Sequence, residues 1–421
     1  MSNTIKSVSE TLNENISKLL KTDSKYSMLL ATKPHSLKKI EYNKIKNNYK
    51  AINNFFTITN DLVYRALFKE DKKLYNIFFL GRSDKGKRVN EHKIIYKTNP
   101  NPLPLFFRTD EVLPGKIVEI QCPGSGLAQL GELQRAWQKY CPEYTWPDYS
   151  LLISKELKKL SNNKSVIYIP KSLNPQDTQL FIASSEKQGI NYIPCNTENY
   201  NIPDTKFLKT HNYHSLRKYK IFSDILHKIK TKQLIVDVPP SMIYSMKLIM
   251  ALPFEKITRE YYPDSVRKLF HNTYIIKPDG FIEVDGKKLN YKEYSKIPDK
   301  KRQHIIKLAD GRGKNIDGGK SVFSLSRVRK NKCRDLLHTA LKDYENNRPW
   351  IIQDEIRQNC DYEYLKDDEI KKENGYAKFS GYYGPSGLIS IQAQYKNFYK
   401  VSGSNTTACA PVIIEQNKKS P

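Results

Sequence analysis

Residues 107–126 read FRTDEVLPGKIVEIQCPGSG, and the fold turns on how this stretch pairs with itself. Two alternating runs, PLFFRTD and KIVEIQC, flank a turn through Leu113-Pro114-Gly115, the pattern of two neighbouring strands. Period-2 alternation places Arg108 and Asp110 on one face of the first strand, and Glu119 and Gln121 on one face of the second. Asp110 can meet the other two across an antiparallel pair. Three oxygen-bearing side chains on one face suit Mg2+, a hard ion that also takes phosphate oxygens. Arg108 then stands as a fixed cation beside a transferring phosphoryl group. The turn Pro123-Gly124-Ser125-Gly126 can present backbone N–H groups to an anionic substrate. The alternative is a solvent-facing strand pair with its charges alternating outward.

Around this stretch the chain changes rhythm several times. The first seventy residues read mainly as helix, with Ile16, Leu19 and Leu20 among many lysines, and the apolar run LYNIFFL (74–80) predicts a buried strand. NPNPLP (99–104) is a connector, because its prolines cannot sit in regular structure. Leu130, Leu133 and Trp137 at helical spacing predict a helix over 127–140. Strands at 165–170, 190–194 and 233–239 alternate with a helix at 178–189, which predicts a small parallel α/β unit, and SMIYSMKLIMAL (241–252) begins a further helix. From about Lys277 onward short strands are joined by glycine-bearing turns. A helix over 330–346, the strand RPWIIQDEI and a terminal hairpin follow.

Two further segments carry chemistry. The strand His304-Ile305-Ile306-Lys307 runs into a loop holding Gly311, Gly313, Gly318, Gly319 and Lys320 before the strand SVFSL. Glycines allow close backbone approach to a triphosphate and lysines supply charge, though Walker and dinucleotide spacings are absent. An ordinary hairpin is the alternative. Trp350–Ile356 is an apolar strand ending Gln353-Asp354-Glu355-Ile356, whose backbone and carboxylates can read an adenine edge and ribose hydroxyls. His211 and His214 have no evident third metal ligand.

The order of a lysine strand, glycine loop, Gln-Asp-Glu-Ile strand and terminal hairpin resembles an ATP-grasp nucleotide module. In that family a glycine-rich flap holds the phosphates, and the metal sits on acidic residues within an E-x-N pattern near the C-terminus. Here the matching Glu119-Ile120-Gln121 comes early, which is similar to circularly permuted ATP-grasp proteins of the glutathionylspermidine synthase-like group. The stretch from Lys400 to Ile414 resembles the end of such proteins. The likeness spans about residues 100–140 and 235–415. It implies ATP and Mg2+ as cofactors, Arg108 as the catalytic cation, and Asp110, Glu119 and Gln121 on the metal. It also implies nucleotide contacts from Lys307, Gly313, Gly318, Gly319, Lys320, Gln353, Asp354, Glu355, Ile356 and Lys378. Gln121 stands where Asn is usual, and Lys378 where an arginine is common.

The expected fold is therefore α+β with an α/β unit, an ATP-grasp architecture in circularly permuted order carrying a small pre-ATP-grasp-like parallel domain. Residues 1–98 form a helical region with a strand, 99–140 the permuted segment with the metal strands, 141–244 the α/β domain, and 245–421 the nucleotide-binding module. The expected reaction joins a small-molecule carboxylate to an amine or peptide through an acyl phosphate, releasing ADP and phosphate. The rivals are a small-molecule kinase on the same fold and a noncatalytic basic protein binding nucleic acid or an anionic membrane. The chain carries a formal charge of +27, dispersed from Lys6 to Lys419, so no clustered nucleic-acid face is expected. No apolar run reaches the roughly 18 residues of a membrane span, no secretory leader is visible, and the six cysteines form no CxxC pair. Those features predict a reduced, cytoplasmic protein without membrane or nucleic-acid partners.

Overall fold

The computed structural model describes residues 2–69, 71–79, 85–122, 125–162, 166–168, 175–194, 207–209, 220–309, 321–346, 348–356, 358–399, 401 and 405–415. Helix α1 (Ser2–Leu20) leads into two short strands, β1 (Leu29–Ala31) and β2 (His35–Leu37). The long helix α2 (Lys39–Phe68) buries Ile45, Ile52, Phe55, Phe56, Leu62 and Val63 at helical spacing. Helices α3 (Lys72–Phe79) and α4 (Lys85–Thr98) follow, then strands β3 (Phe107–Leu113) and β4 (Lys116–Gln121). Helix α5 (Leu127–Tyr140) starts from Gly126 at φ +100°. Next come α6 (Tyr149–Ser161), β5 (Val166–Tyr168), α7 (Pro175–Glu186), β6 (Tyr192–Pro194), β7 (Phe207–Lys209) and β8 (Ile235–Val236). The remainder holds β9 (Thr273–Ile275), β10 (Ile282–Val284), β11 (Lys287–Leu289), β12 (His304–Leu308), β13 (Val322–Ser324) and β14 (Trp350–Asp354). The chain closes with β15 (Asn359–Lys366), β16 (Glu369–Gly384), β17 (Gly387–Lys396) and β18 (Ala408–Ile414).

The largest sheet has the order β15-β1-β18-β17-β16-β3-β4, with β2 added to β18. Because β15 also pairs with the first half of β16, five of its strands close a circuit. One face packs on α2, through Phe107, Phe379, Tyr383, Ile391 and Ala393. The other face meets the second core, built from α1, α5, α6 and α7. An antiparallel sheet of order β13-β12-β14-β9 stands opposite β4 and packs its outer face on the helix Lys330–Glu345. Strands β6-β5-β7-β8 form a wholly parallel sheet, as the alternating pattern predicted, with β7 added to the predicted strands. The fold is thus mixed α+β with a parallel α/β unit. Residues 1–98 are shared out between these parts: α1 packs with α5 and α7, while β1, β2 and α2 serve the largest sheet. Among the described residues no helix is long and apolar enough to cross a membrane.

Two sequence expectations are overturned. The run at 74–80 is helix over its described part, Lys72–Phe79, because Leu74, Phe78 and Phe79 bury one side while Asn76 faces solvent. Asp71 Oδ1 accepts from the N–H groups of Lys73 and Leu74 and starts that helix. The stretch 241–252 makes two short 3-10 turns, Met242–Ser245 and Lys247–Ala251, instead of an α-helix. Met246 is extended between them, and Pro253 follows at once. The two histidines at 211 and 214 lie outside the described residues.

Gly131 sits inside α5, where glycine costs about 1 kcal/mol relative to alanine. The reason lies next door: a Cβ there would come 1.9 Å from two carbons of the Tyr149 ring. Tyr149 opens α6, and its hydroxyl hydrogen-bonds Ser184 of α7 at 2.8 Å, so the missing side chain lets three helices close together. Gly131→Ala is therefore expected to lower stability by about 1–3 kcal/mol in denaturant unfolding, although alanine is the better helix former. A more stable variant would contradict this packing.

Candidate active site

The paired strands expected at 107–121 are present, and their register sets the chemistry. Asp110 lies directly opposite Glu119, and Arg108 opposite Gln121. On its other edge β3 pairs with β16, which sets Ser380 opposite Asp110 and Tyr382 opposite Arg108. Lys378, two residues before Ser380, faces the same way.

Asp110 is the hub. Its carboxylate accepts from Lys378 Nζ at 2.8 Å, Ser380 Oγ at 2.9 Å and Arg108 Nη2 at 3.2 Å, with Arg108 Nε 3.0 Å from Oδ1. Burial alone would raise its pKa, but Arg108 and then Lys378 outweigh this and hold the carboxyl well below its usual range. Its neighbour Glu111 is equally buried, on the opposite face, and has no cation. It accepts from Gly115 N, Thr109 Oγ1 and Asn48 Nδ2, yet burial pushes it up to about 7. Two adjacent carboxyls on one strand are thus driven in opposite directions by what faces them.

Across from β4, Lys307 of β12 is buried and donates to Val118 O at 3.0 Å and to Gln353 Oε1 at 2.7 Å. Burial brings this ammonium down to about 8, against the pull of Glu119. Lys247, in the second 3-10 turn, lies 3.3 Å from Glu119. Burial would raise Glu119; Lys247 reverses that and lowers it. The sequence reading missed Lys247 and Ser380. Lys247 was visible as the lone charge in SMIYSMKLIMAL, and Ser380 as the alternation partner of Lys378. Four cations (Arg108, Lys247, Lys307, Lys378) therefore face two carboxylates (Asp110, Glu119) where two sheets meet.

Several polar groups of the segment Gln353–Ile356 have partners within the fold. Gln353 is buried and its amide is fully engaged, accepting from Lys307 and donating to Thr273 Oγ1 at 2.9 Å. The N–H groups of Asp354 and Glu355 donate to Asn272 O and Gln303 O. Glu355 Oε2 accepts from Ser324 and Ser326. For a planar base this leaves the half-buried Ile356 and the partly exposed carboxylate of Asp354. The N–H of Gly126 is likewise taken: with those of Ala128 and Gln129 it donates to Asp177, so an internal carboxylate occupies the start of α5. Gly313, Gly318, Gly319 and Lys320 lie outside the described residues, as do Pro123 and Gly124.

The donor set can be weighed against the groups the fold implies. An excess of buried cations between two sheets fits a phosphate chain. Glu119 keeps about a third of its side chain exposed, and Gln121 is half-buried, so both can reach a hard cation that also binds phosphates. Asp110 joins them only by giving up one of its three donors. Among the described residues no three His, Cys, Asp or Glu side chains converge.

No protein-family model matches this sequence, and no curated protein does. Solved structures do resemble it. A glutathione synthetase-like effector from Globodera pallida superposes with a TM-score of 0.50 at 9% identity, over 97% of this chain and 98% of that one. A candidate gamma-glutamylcysteine synthetase from Methylobacillus flagellatus gives 0.39 at 9% identity, over 90% of this chain and 88% of that one. At such identity the likeness to the first is one of fold: the chain has a glutathione synthetase-like architecture along nearly its whole length.

Asp110→Asn leaves Arg108 and Lys378 without their shared anion and is expected to cost about 3–5 kcal/mol in urea unfolding near neutral pH. Because the folded pKa is depressed, the wild-type advantage is full above about pH 4 and is lost as pH falls further, through the folded value. A gap between the two proteins that stayed constant into strong acid would refute the assignment.

Proposed function

We propose that this chain is an ATP-dependent carboxylate–amine ligase of the ATP-grasp type, in circularly permuted order. The observation that carries the reading is the group of four cations, three of them buried, around Asp110 and Glu119, where β3 and β4 face β12 and β14. The permuted order is supported by pairing: β3, early in the chain, is the edge neighbour of β16 near its end. In this reading Lys307, Lys378 and Lys247 hold the triphosphate, together with Gly313, Gly318, Gly319 and Lys320. Asp354 and Ile356 take the adenine and ribose, while Gln353 and Glu355 hold that edge in shape. Glu119 and Gln121, with Asp110 behind them, hold Mg2+, which supplies charge neutralisation for phosphoryl transfer. Arg108, fixed by Asp110 and by its bond to Ser125 O, stabilises the oxygen that gains charge as a carboxylate is phosphorylated. An amine then displaces phosphate to give an amide. The substrates are a small-molecule carboxylate and an amine or peptide. The direct test is mass spectrometry of products from ATP, Mg2+ and a panel of amino acids and peptides. An amide-linked product with ADP supports the ligase, and a phosphorylated product without an amine requirement makes the chain a kinase.

Lys307 gives a pH signature. A triphosphate beside it favours the ammonium, so ATP binding should take up a proton once the free lysine is largely neutral, above its value of about 8. Calorimetry at about pH 9, where the ATP phosphates are already ionised, should show an enthalpy that varies with buffer ionisation heat. Lys307→Ala should remove that dependence and weaken ATP by roughly 10- to 100-fold. Unchanged affinity in a folded variant would rule out the contact.

Glu119→Ala should reduce ADP formation by at least about 100-fold while metal-free ATP binding changes only a few-fold. Gln121→Asn, a shorter oxygen ligand, should keep measurable turnover. Near-normal turnover by the Glu119 variant would defeat the metal assignment.

A further inference from the structure

One strand beyond the Asp110 cluster, the same face of the largest sheet changes character. Gln394 lies directly opposite Lys378, and Gln392 opposite Ser380, so both glutamines stand about 5 Å from residues bonded to Asp110. A third glutamine, Gln134 of α5, reaches Ser390 on the same strand at 2.6 Å. All three are buried, with relative exposures of 1% for Gln392, 3% for Gln394 and 2% for Gln134.

Each of these amides is only half satisfied. Gln394 Nε2 donates to Gln392 Oε1 at 2.9 Å, and Tyr382 Oη adds a longer contact to the same oxygen. Among the described residues, Gln392 Nε2, Gln394 Oε1 and Gln134 Oε1 are buried without partners. Turning the amides does not remove the problem. Two amides bonded to each other always leave one N–H2 and one C=O over, whichever way both are flipped. Three such atoms within one sheet face are costly for a folded chain, and buried polar groups are normally paired.

We propose that the glutamine row Gln392–Gln394, with Gln134, is a subsite for the peptide group or carboxamide of the second substrate. A peptide unit offers one N–H donor and one C=O acceptor, which is the complement of what the glutamine pair leaves over. The row carries no charge, so it favours a neutral amide over a carboxylate, which Arg108 and Lys378 next door would draw instead. The inference rests on the ligase reading for the identity of the neighbouring ion cluster, and it narrows the amine-bearing substrate to a peptide or amide.

The test combines Gln392→Met and Gln394→Met in the full chain, a swap that keeps side-chain length and removes the amide groups. Without ligand the thermal midpoint should rise by about 1–3 °C, because unpaired polar atoms are replaced by apolar ones. Glycylglycine, titrated by calorimetry, should bind the variant about 10-fold or more weakly than the wild type, and glycine should not distinguish them. ATP affinity should be the same in both proteins. An unchanged or lowered midpoint would make the amides structural and overturn the proposal. So would equal glycylglycine binding by both proteins, or none by the wild type. If neither protein bound ATP, the nucleotide reading would fall while the stability and peptide measurements still decided this one.

Discussion

A carboxylate cannot be taken out of water without cations or hydrogen-bond donors to replace the lost hydration, and Asp110 is nearly inaccessible. Its compensation comes from two directions in the chain. Arg108 is on its own strand, whereas Lys378 and Ser380 arrive from β16, almost 270 residues later. The ion cluster therefore also acts as a topological fastener, fixing the register of β3 against β16 in a sheet that could otherwise slip. Once that register is set, β4 has one choice left, and it turns Glu119 and Gln121 to the same face. The opposite face then falls to Phe107, Thr109 and Glu111, which meet α2.

The second sheet is bolted to the first at β4. Lys307 donates to Val118 O, Ile117 N donates to Leu269 O at 2.7 Å, and Ile117 bridges Phe270 just before β9. These contacts hold the two sheets at a fixed separation while Lys247 enters between them from a 3-10 turn. Lys307 is held between desolvation and nearby charge, and burial brings its pKa down. Its neighbours Lys247 and Lys378 add to that, and Glu119 and Asp110 oppose it.

The reach of the sequence differed from element to element. FRTD and KIVEIQ were legible because strict alternation and a short Pro-Gly turn leave one plausible pairing, and the pairing puts the right side chains together. The DG turn between β10 and β11 is equally local, with Asp285 and Gly286 both at positive φ. LYNIFFL was not legible as helix, since a short apolar run fits either period and only Asp71 as a cap decides it. Residues 359–374 passed unnoticed although Cys360, Tyr362 and Tyr364 alternate with Asp361 and Glu363, because the facing half of β16 is polar and mostly exposed. β1 and β2 are three residues each and exist through parallel pairing with β18, a partner that no local pattern announces. Gln353 shows the limit at the site. Its place on a strand was clear, but that its amide would be engaged by Lys307 and Thr273 depends on the register of three strands at once.

The site as a whole is graded across the sheet face. Cations dominate at β12, β3 and the 3-10 turn, a mixed row of Lys378 and Ser380 follows on β16, and neutral amides take over on β17. A uniformly cationic floor would attract polyanions in any orientation and slide along them. A floor that turns neutral within two strands, about 10 Å, instead gives a bound molecule a direction. On the proposed reading the charged end would settle against Lys307 and Arg108, and an uncharged polar end would pair the amides of β17. The sequence I-Q-A-Q-Y writes that neutral edge with the same period-2 rule that F-R-T-D uses for the charged one. The change from charged to neutral across this face is then the consequence of one alternation read on adjacent strands.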